Sequence, residues 1–366
     1  MSITATRLGA FGLILFLQPA LSSTKPTDAI EQVATLSVAR SAHTATTLRS
    51  GQVLIVGGMS GETNNVGSAE LFDPARNTVE RVGDLAEGRA GHTATLLADG
   101  RVLIAGGYNG EYLASVEIYD PLQHRFRRAG SLTEGRSGHT ATLLPNGRVL
   151  FVGGVGRGWT FLRTAEMYDP ATGRSERVSP MSVPRESHTA TLLADGRVIV
   201  IGGHNGRRAA MEVYASAEAW NPVTERFEPA GTLGTARHKH DAIALADGRV
   251  LVIGGADRTD RGHYATTEIY DPRSARFEAG PSMARTRYKI AGTSVLLPGG
   301  DVLVTSGAEV AEVFDARSRH FREVRGRLPE GYHFAAAAAL PGGDVMFSGG
   351  YSDQNRTTDR VYRYHR

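Results

Sequence analysis

Residues 88–110 read GRAGHTATLLADGRVLIAGGYNG, and the stretch returns as GRSGHTATLLPNGRVLFVGGVGR at 135–157 and as PRESHTATLLADGRVIVIGGHNG at 184–206. Near-copies at this spacing make a repeat, and its physical content is a β-hairpin. His92 to Leu97 stops at Asp99-Gly100, two residues able to take the positive φ that a tight hairpin turn demands. Val102 to Ala105 then runs back into Gly106-Gly107. After a variable loop a third strand is expected from Ser115 to Tyr119, closed by Asp120-Pro121, where proline cannot donate to a sheet ladder. A fourth, Arg125 to Ala129, is short and charged, as an outer edge strand should be.

Outward from this unit, glycine doublets begin at Gly57, Gly106, Gly153, Gly202, Gly254 and Gly349, with Ser306-Gly307 standing where one more belongs. Successive gaps lie near the period of about 50 residues that marks one family of propeller blades. The third-strand signature recurs at Glu70 to Pro74, Glu117 to Pro121, Glu166 to Pro170, Glu218 to Pro222 and Glu268 to Pro272. A weaker copy runs from Glu312 to Ala316, and the final one is Arg360-Val361-Tyr362, where the last unit lacks an outer strand. Ile30 to Arg40 aligns with Phe126 to Arg136, so the N-terminal segment is expected to supply that strand. The prediction is an all-β, seven-bladed β-propeller over residues 29–366, closed by pairing of its N- and C-terminal segments. The 44 glycines and 15 prolines among 366 residues suit a chain that turns every few residues and would be costly in helices.

Residues 1–22 have the layout of a signal peptide: Arg7, an apolar run from Leu8 to Leu17, then small residues from Ala20 to Ser23. With 23–28 as a linker, the expected product is a monomer, secreted or periplasmic, with no membrane span after cleavage. The chain has no cysteine, so stability outside a reducing compartment would rest on packing alone. A net charge of +3 is too small a field for a nucleic-acid partner.

The glycine doublet, the Asp-Pro after an aromatic and the HTATLL…DGRVL core resemble the kelch repeat, and the resemblance covers nearly all of residues 29–366. That likeness implies the fold and leaves function open, because kelch propellers serve as binding modules, sugar-processing enzymes and copper oxidases. Tyr332-His333, ahead of an alanine-rich strand and LPGGDV, is similar to the tyrosine-histidine pair of the galactose oxidase-like copper radical oxidases. Those enzymes join a tyrosine to a cysteine, which this chain lacks. The resemblance therefore implies the fold and the location of the mouth, with no cofactor and no metal site. Exported sialic-acid mutarotases of kelch fold offer a second likeness, using His, Lys and Arg as acid, base and carboxylate clamp, although they have six blades.

In such a hairpin, the loops entering each first strand and those following each glycine doublet open on one face, and the channel mouth there is the expected site. The repeated Arg-x-x-His at Arg40, Arg89, Arg136, Arg185 and Arg237 reads as framework, since metal ligands must converge on one ion whereas equivalent positions stand around a ring. Departures from the repeat are more informative. Lysine occurs only at Lys25, Lys239 and Lys289, and the last two fall in Arg237-His238-Lys239-His240 and Arg287-Tyr288-Lys289. The next blade carries Tyr332 and His333 at the same corner. Across the mouth, Arg157 and Trp159 face His204 and Arg207 in the loops after two successive doublets. With Arg237 left to the framework, these twelve residues are the candidate ligand-binding set, and no catalytic residue is assigned. Such side chains pair with anionic oxygens and stack on sugar rings. The function expected is an exported kelch-repeat binding module engaging a polar, anionic ligand, a glycan or a protein segment. The alternative is a carbohydrate-processing enzyme such as an epimerase or mutarotase, with a copper oxidase behind it. No phosphate-cradling glycine loop or nucleophile elbow supports other chemistry.

Overall fold

The computed structural model describes residues 27–61 and 64–366, so the signal peptide expected at 1–22 and most of the 23–28 linker lie outside the described residues. Seven four-stranded antiparallel sheets follow one another as blades. In blade 2 the strands are Thr93–Leu96, Val102–Ala105, Ser115–Asp120 and Arg125–Ser131, within two residues of the boundaries expected from sequence. No helix among the described residues is long and apolar enough to cross a membrane.

The second strand of each blade is buried on both faces, which is why it reads as an unbroken apolar run such as VLIA or VIVI rather than as an alternation. Successive side chains serve different neighbours. Leu103 and Ala105 pack toward Val149 and Phe151 of blade 3, while Val102 and Ile104 join Leu54 and Val56 of blade 1. The core is thus a series of interblade layers arranged around the channel.

Two polar devices repeat between these layers. Each corner arginine forks into its blade: Arg89 donates to the Gly106 and Ser115 carbonyls at 2.9 and 3.1 Å and to Glu117 at 2.8 Å. Arg40–Glu70, Arg136–Glu166, Arg185–Glu218, Arg237–Glu268 and Arg287–Glu312 repeat the pairing, and all these arginines are fully buried. The histidines latch each blade to the one before it. His92, His139, His188 and His240 place Nε2 3.0–3.1 Å from the hydroxyls of Thr44, Thr93, Thr140 and Thr189. His43 closes the circle on Ser348 of blade 7, whose first strand offers alanine where the others offer threonine.

Where the sequence breaks these devices, the structure substitutes others. Blade 6 has Ile290 at the histidine position, and blade 5 correspondingly carries Asp241 in place of threonine. The Asp241 carboxylate accepts the Gly292, Thr293 and Ser294 amides at 3.0, 3.1 and 2.8 Å. In blade 7, Tyr332 and Tyr362 occupy the arginine and glutamate positions and pack with Leu328, Ala335 and Phe347, so no charge is buried there.

The doublet glycines permit this packing. Gly106 has φ +65, and a Cβ there would lie 2.6 Å from both the Arg136 carbonyl and His139 Cε1. Gly106→Ala combines backbone strain with a clash against the next blade, and chemical denaturation should register a loss of about 2 kcal/mol or more.

The ring closes as expected. Ala29–Thr35 pairs antiparallel with Arg360–His365, from Ala29 opposite His365 to Thr35 opposite Arg360, and becomes the outer strand of blade 7.

Candidate functional site

On the loop-rich face, the chain turns into each first strand through a corner whose second residue after the arginine has a left-handed backbone. These are Ala42, Gly91, Gly138, Ser187, Lys239, Lys289 and Phe334, with φ from 50 to 63°. Their peptides link around the axis. Ala42 N–H donates to Phe334 O, Gly91 to Ala42 O, Gly138 to Gly91 O, Lys239 to Ser187 O, Lys289 to Lys239 O and Phe334 to Lys289 O, at 2.8–3.1 Å. This hoop of hydrogen bonds between peptides, open only between Gly138 and Ser187, cinches the channel. Blades 2 and 3 fill the position with glycine, whereas blades 5 to 7 place Lys, Lys and Phe there. A left-handed backbone costs such residues about 1–2 kcal/mol each, and a strain of this kind clusters at functional sites.

The residue before each hoop position follows the same asymmetry: Ser41, Ala90 and Ser137 in blades 1 to 3, then Glu186, His238, Tyr288 and His333. Together these build a continuous polar and aromatic arc over half the mouth. Glu186 meets His204 Nε2 at 2.6 Å, and the His204 ring stands 4.8 Å from that of His238. His238 Nε2 lies 3.2 Å from Asp260, while Lys239 donates to both Asp260 oxygens at 2.8 and 2.7 Å. Burial alone would raise the Asp260 carboxyl, but the hydrogen bonds from His238 and Lys239 and the lysine charge hold it well below the ordinary range. Glu186 is likewise lowered, burial being outweighed by His204, Ser187 and Lys239.

Lys289 completes the arc. Its Nζ donates to Tyr351 Oη at 2.7 Å and lies 4.8, 5.9 and 5.2 Å from the ring centres of Tyr288, Phe334 and Tyr351, cation–π distances throughout. Tyr288 stacks on His263 at 3.6 Å and 14°. His333 reaches Asp353 at 2.8 Å; burial pushes its pKa below the usual value, against the opposing pull of Asp353.

The second expected patch continues the arc. Arg207 lies 3.6 Å over the half-exposed Trp159, which abuts Tyr112 and, through it, Tyr108. Arg157 is exposed on the adjacent rim.

Of the twelve candidates, then, His238, Lys239, Tyr288, Lys289, His333, His204, Trp159, Arg207 and Arg157 surround the mouth. Three are corrected. His240 is a fully buried latch to Thr189, Arg287 is consumed by Glu312 and the Ser306 and Val310 carbonyls, and Tyr332 points into the blade 7 core in the arginine's place. The expected set omitted Glu186, Asp260, His263, Tyr351 and Asp353. Glu186 was within reach of the symmetry-breaking rule, since RESH stands where RAGH and RSGH stand elsewhere. Tyr351 follows its doublet as Tyr108 and His204 follow theirs, and Asp260, His263 and Asp353 sit in loops of unequal length with no equivalent to compare.

The opposite face is less featureless than its uniform turns suggest. A depression of about 590 Å³ lies between blades 4 and 5, lined among others by Asp195, Arg197, Asp247, Arg249 and Pro272. Its charges are used up locally: Arg197–Asp195 and Arg249–Asp247 pair at 2.7 Å, as Arg101–Asp99 does at 2.6 Å in blade 2. A feature repeated blade after blade is turn chemistry, so the candidate site remains the mouth.

Comparison with known proteins agrees with this architecture. The kelch motif matches residues 89–133 and 136–182. No curated protein sequence matches the chain. Among solved structures, a fungal alcohol oxidase, described as having catalytic diversity among the AA5 family and solved in complex with copper, superimposes with a TM-score of 0.70. It is 14% identical, over 91% of this chain and 75% of that one, a likeness of fold alone. Sheet order and interblade packing make this chain a seven-bladed β-propeller, with the kelch motif matched in its second and third blades.

Proposed function

We propose that the chain is an exported binding module that takes a polar, carboxylate-bearing glycan at the arc of blades 4 to 7. One observation carries the reading: sevenfold symmetry is broken on one half of the mouth only. There small residues give way to Glu186, His238, Lys239, Tyr288, Lys289, His333 and Phe334. Aromatic faces suit sugar rings, and the lysines and histidines suit carboxylate and hydroxyl oxygens. The test is thermal unfolding of the protein against paired acidic and neutral sugars, since a ligand specific to the folded state raises the midpoint. Lys239→Ala with Lys289→Ala is expected to weaken an acidic sugar at least tenfold while leaving the ligand-free midpoint within a few degrees. A double variant that binds normally removes this arc as the site. Export is checked separately, by asking whether residues 1–22 carry a reporter across a membrane.

A sugar epimerase or mutarotase is the second reading, favoured by the carboxylate–imidazole contacts Glu186–His204 and His333–Asp353 on one rim. Accelerated interconversion of sugar anomers, lost in Glu186→Gln, would select it. Copper radical chemistry is not carried over from the fungal neighbour. The donor set does not fit, because the chain has no cysteine and Tyr332 packs inside a blade. Among the described residues no three His, Asp or Glu side chains converge as metal ligands.

A further inference from the structure

The Lys239–Asp260 pair differs in kind from the ion pairs that hold the blades. Arg89–Glu117 is buried at both ends and braced by backbone carbonyls, whereas the Lys239 and Asp260 side chains are 15% and 37% exposed. Asp260 also comes from outside the framework, on the loop that follows the blade 5 glycine doublet. That loop is folded by its own bonds: Thr259 N and Oγ1 and Gly262 N donate to Asp257 Oδ1, and Asp257 N donates to Gly262 O. Its shape therefore does not depend on where the Asp260 carboxylate goes. The loop docks on the corner through the Asp260 carboxylate on Lys239 and His238, through the Asp257 carbonyl 3.1 Å from His238 Nε2, and through the His263 ring on Tyr288.

What Lys239 and His238 offer is a seat for a carboxylate, with an ammonium facing both oxygens and an imidazole nitrogen facing one. Both come from a corner fixed by the peptide hoop, so the seat is rigid while its occupant is tethered. The pair is partly open to solvent and no backbone carbonyl braces the ammonium, so the carboxylate can be exchanged for another. Beside it, Lys289 rests on aromatic rings and a hydroxyl, so a second cation adjoins the seat.

The geometry points to residues 257–263 acting as a built-in competitor: Asp260 occupies the seat made by Lys239 and His238, and a uronic or other carboxylated sugar binds by displacing it, the loop lifting off Tyr288. This rests on the binding reading above and adds the seat its carboxylate takes and a gate. The occupant lowers apparent affinity by the fraction of time it holds the seat, so removing its charge should tighten binding.

The experiment titrates D-glucuronate and D-galacturonate, each against D-glucose and D-galactose, into the full chain and its Asp260→Asn and Asp260→Ala variants, with amide exchange followed at 257–263. The ring is the same within each pair, and only the carboxylate differs. The expected result is about tenfold tighter uronate binding by both variants, unchanged binding of the neutral sugars, and faster exchange of 257–263 in the unsubstituted protein on adding uronate. Uronate binding that neither variant tightens, or that leaves loop exchange unchanged, overturns the competitor while sparing the binding reading. No binding of any of the four sugars by any of the three proteins overturns both.

Discussion

Between pH 7.5 and 5 the propeller is expected to lose several kcal/mol of stability, although nothing in its net charge of +3 hints at acid sensitivity. The cause is the latch. Burial, reinforced by the neighbouring arginine charges, lowers His43, His92 and His188 from 6.5 to about 3, and holds His139 and His240 well below 6.5. The unfolded chain takes up a proton on each of these near pH 6.5, whereas the folded chain refuses it until near pH 3 at His43, His92 and His188 and until well below 6.5 at His139 and His240. Stability is therefore complete above about pH 6.5 and falls as pH drops, by about 1.4 kcal/mol per pH unit per histidine. At pH 5 that is about 2 kcal/mol for each of His43, His92 and His188, roughly 6 kcal/mol together, with His139 and His240 acting in the same direction; an ordinary domain possesses about 5–15 kcal/mol. Asp241, raised by burial, works in the opposite sense, but only near carboxylate pKa values. Denaturant midpoints measured from pH 7.5 to 5 should fall steeply, and His139→Gln should flatten the slope by about one proton. A flat profile would mean that the histidines titrate normally in the folded state.

The second large effect is expected of Arg136→Ala. The guanidinium is fully buried against Glu166 at 2.6 Å, and it also holds the Gly153 and Thr164 carbonyls at 2.8 and 3.2 Å. Removing it strands a buried carboxylate and leaves the Gly153 carbonyl without its donor, while the Thr164 carbonyl keeps only the Gly153 amide at 3.1 Å. Breaking one side of a buried pair costs about 3–5 kcal/mol, so the variant should unfold at much lower denaturant or fail to accumulate. Arg136→Ala with Glu166→Met, which removes both charges, should recover part of that loss. Equal stability of the single variant and the parent protein would show that the pair contributes nothing net.

These devices explain what could be read beforehand. The blade is legible because its signals are local: Asp99-Gly100 makes the hairpin, the second strand is uniformly apolar, and Asp120-Pro121 ends the third. Closure was legible because Leu36 and Arg40 fall on Leu132 and Arg136 of the repeat. The site was legible only in part. Lys239 and Lys289 stood out as departures at a position every blade shares, but His240, Arg287 and Tyr332 occupy the same short corner and turn inward. Residues one step apart at a left-handed turn face different environments, and a string of letters does not mark which way each goes. Asp260 and Asp353 were missed for another reason: their loops differ in length between blades, so no repeat supplied the expectation against which they would have stood out, whereas Tyr351 follows its doublet directly and aligns with Met59, Tyr108, Val155, His204 and Ala256.

The closing strand has a mechanical consequence. Because Ala29 pairs with His365 and the Asp28 amide donates to the His365 carbonyl at 2.7 Å, the two partners in the closure leave the sheet side by side at one end of their ladder. Tension applied between residues 28 and 366 would load that ladder one rung at a time, in the manner of a zip, and not all rungs together as in shear. The joint that completes the ring is thus the one most easily peeled by pulling on its ends, while the same force directed across any other blade meets strands tied into continuous chain on both sides.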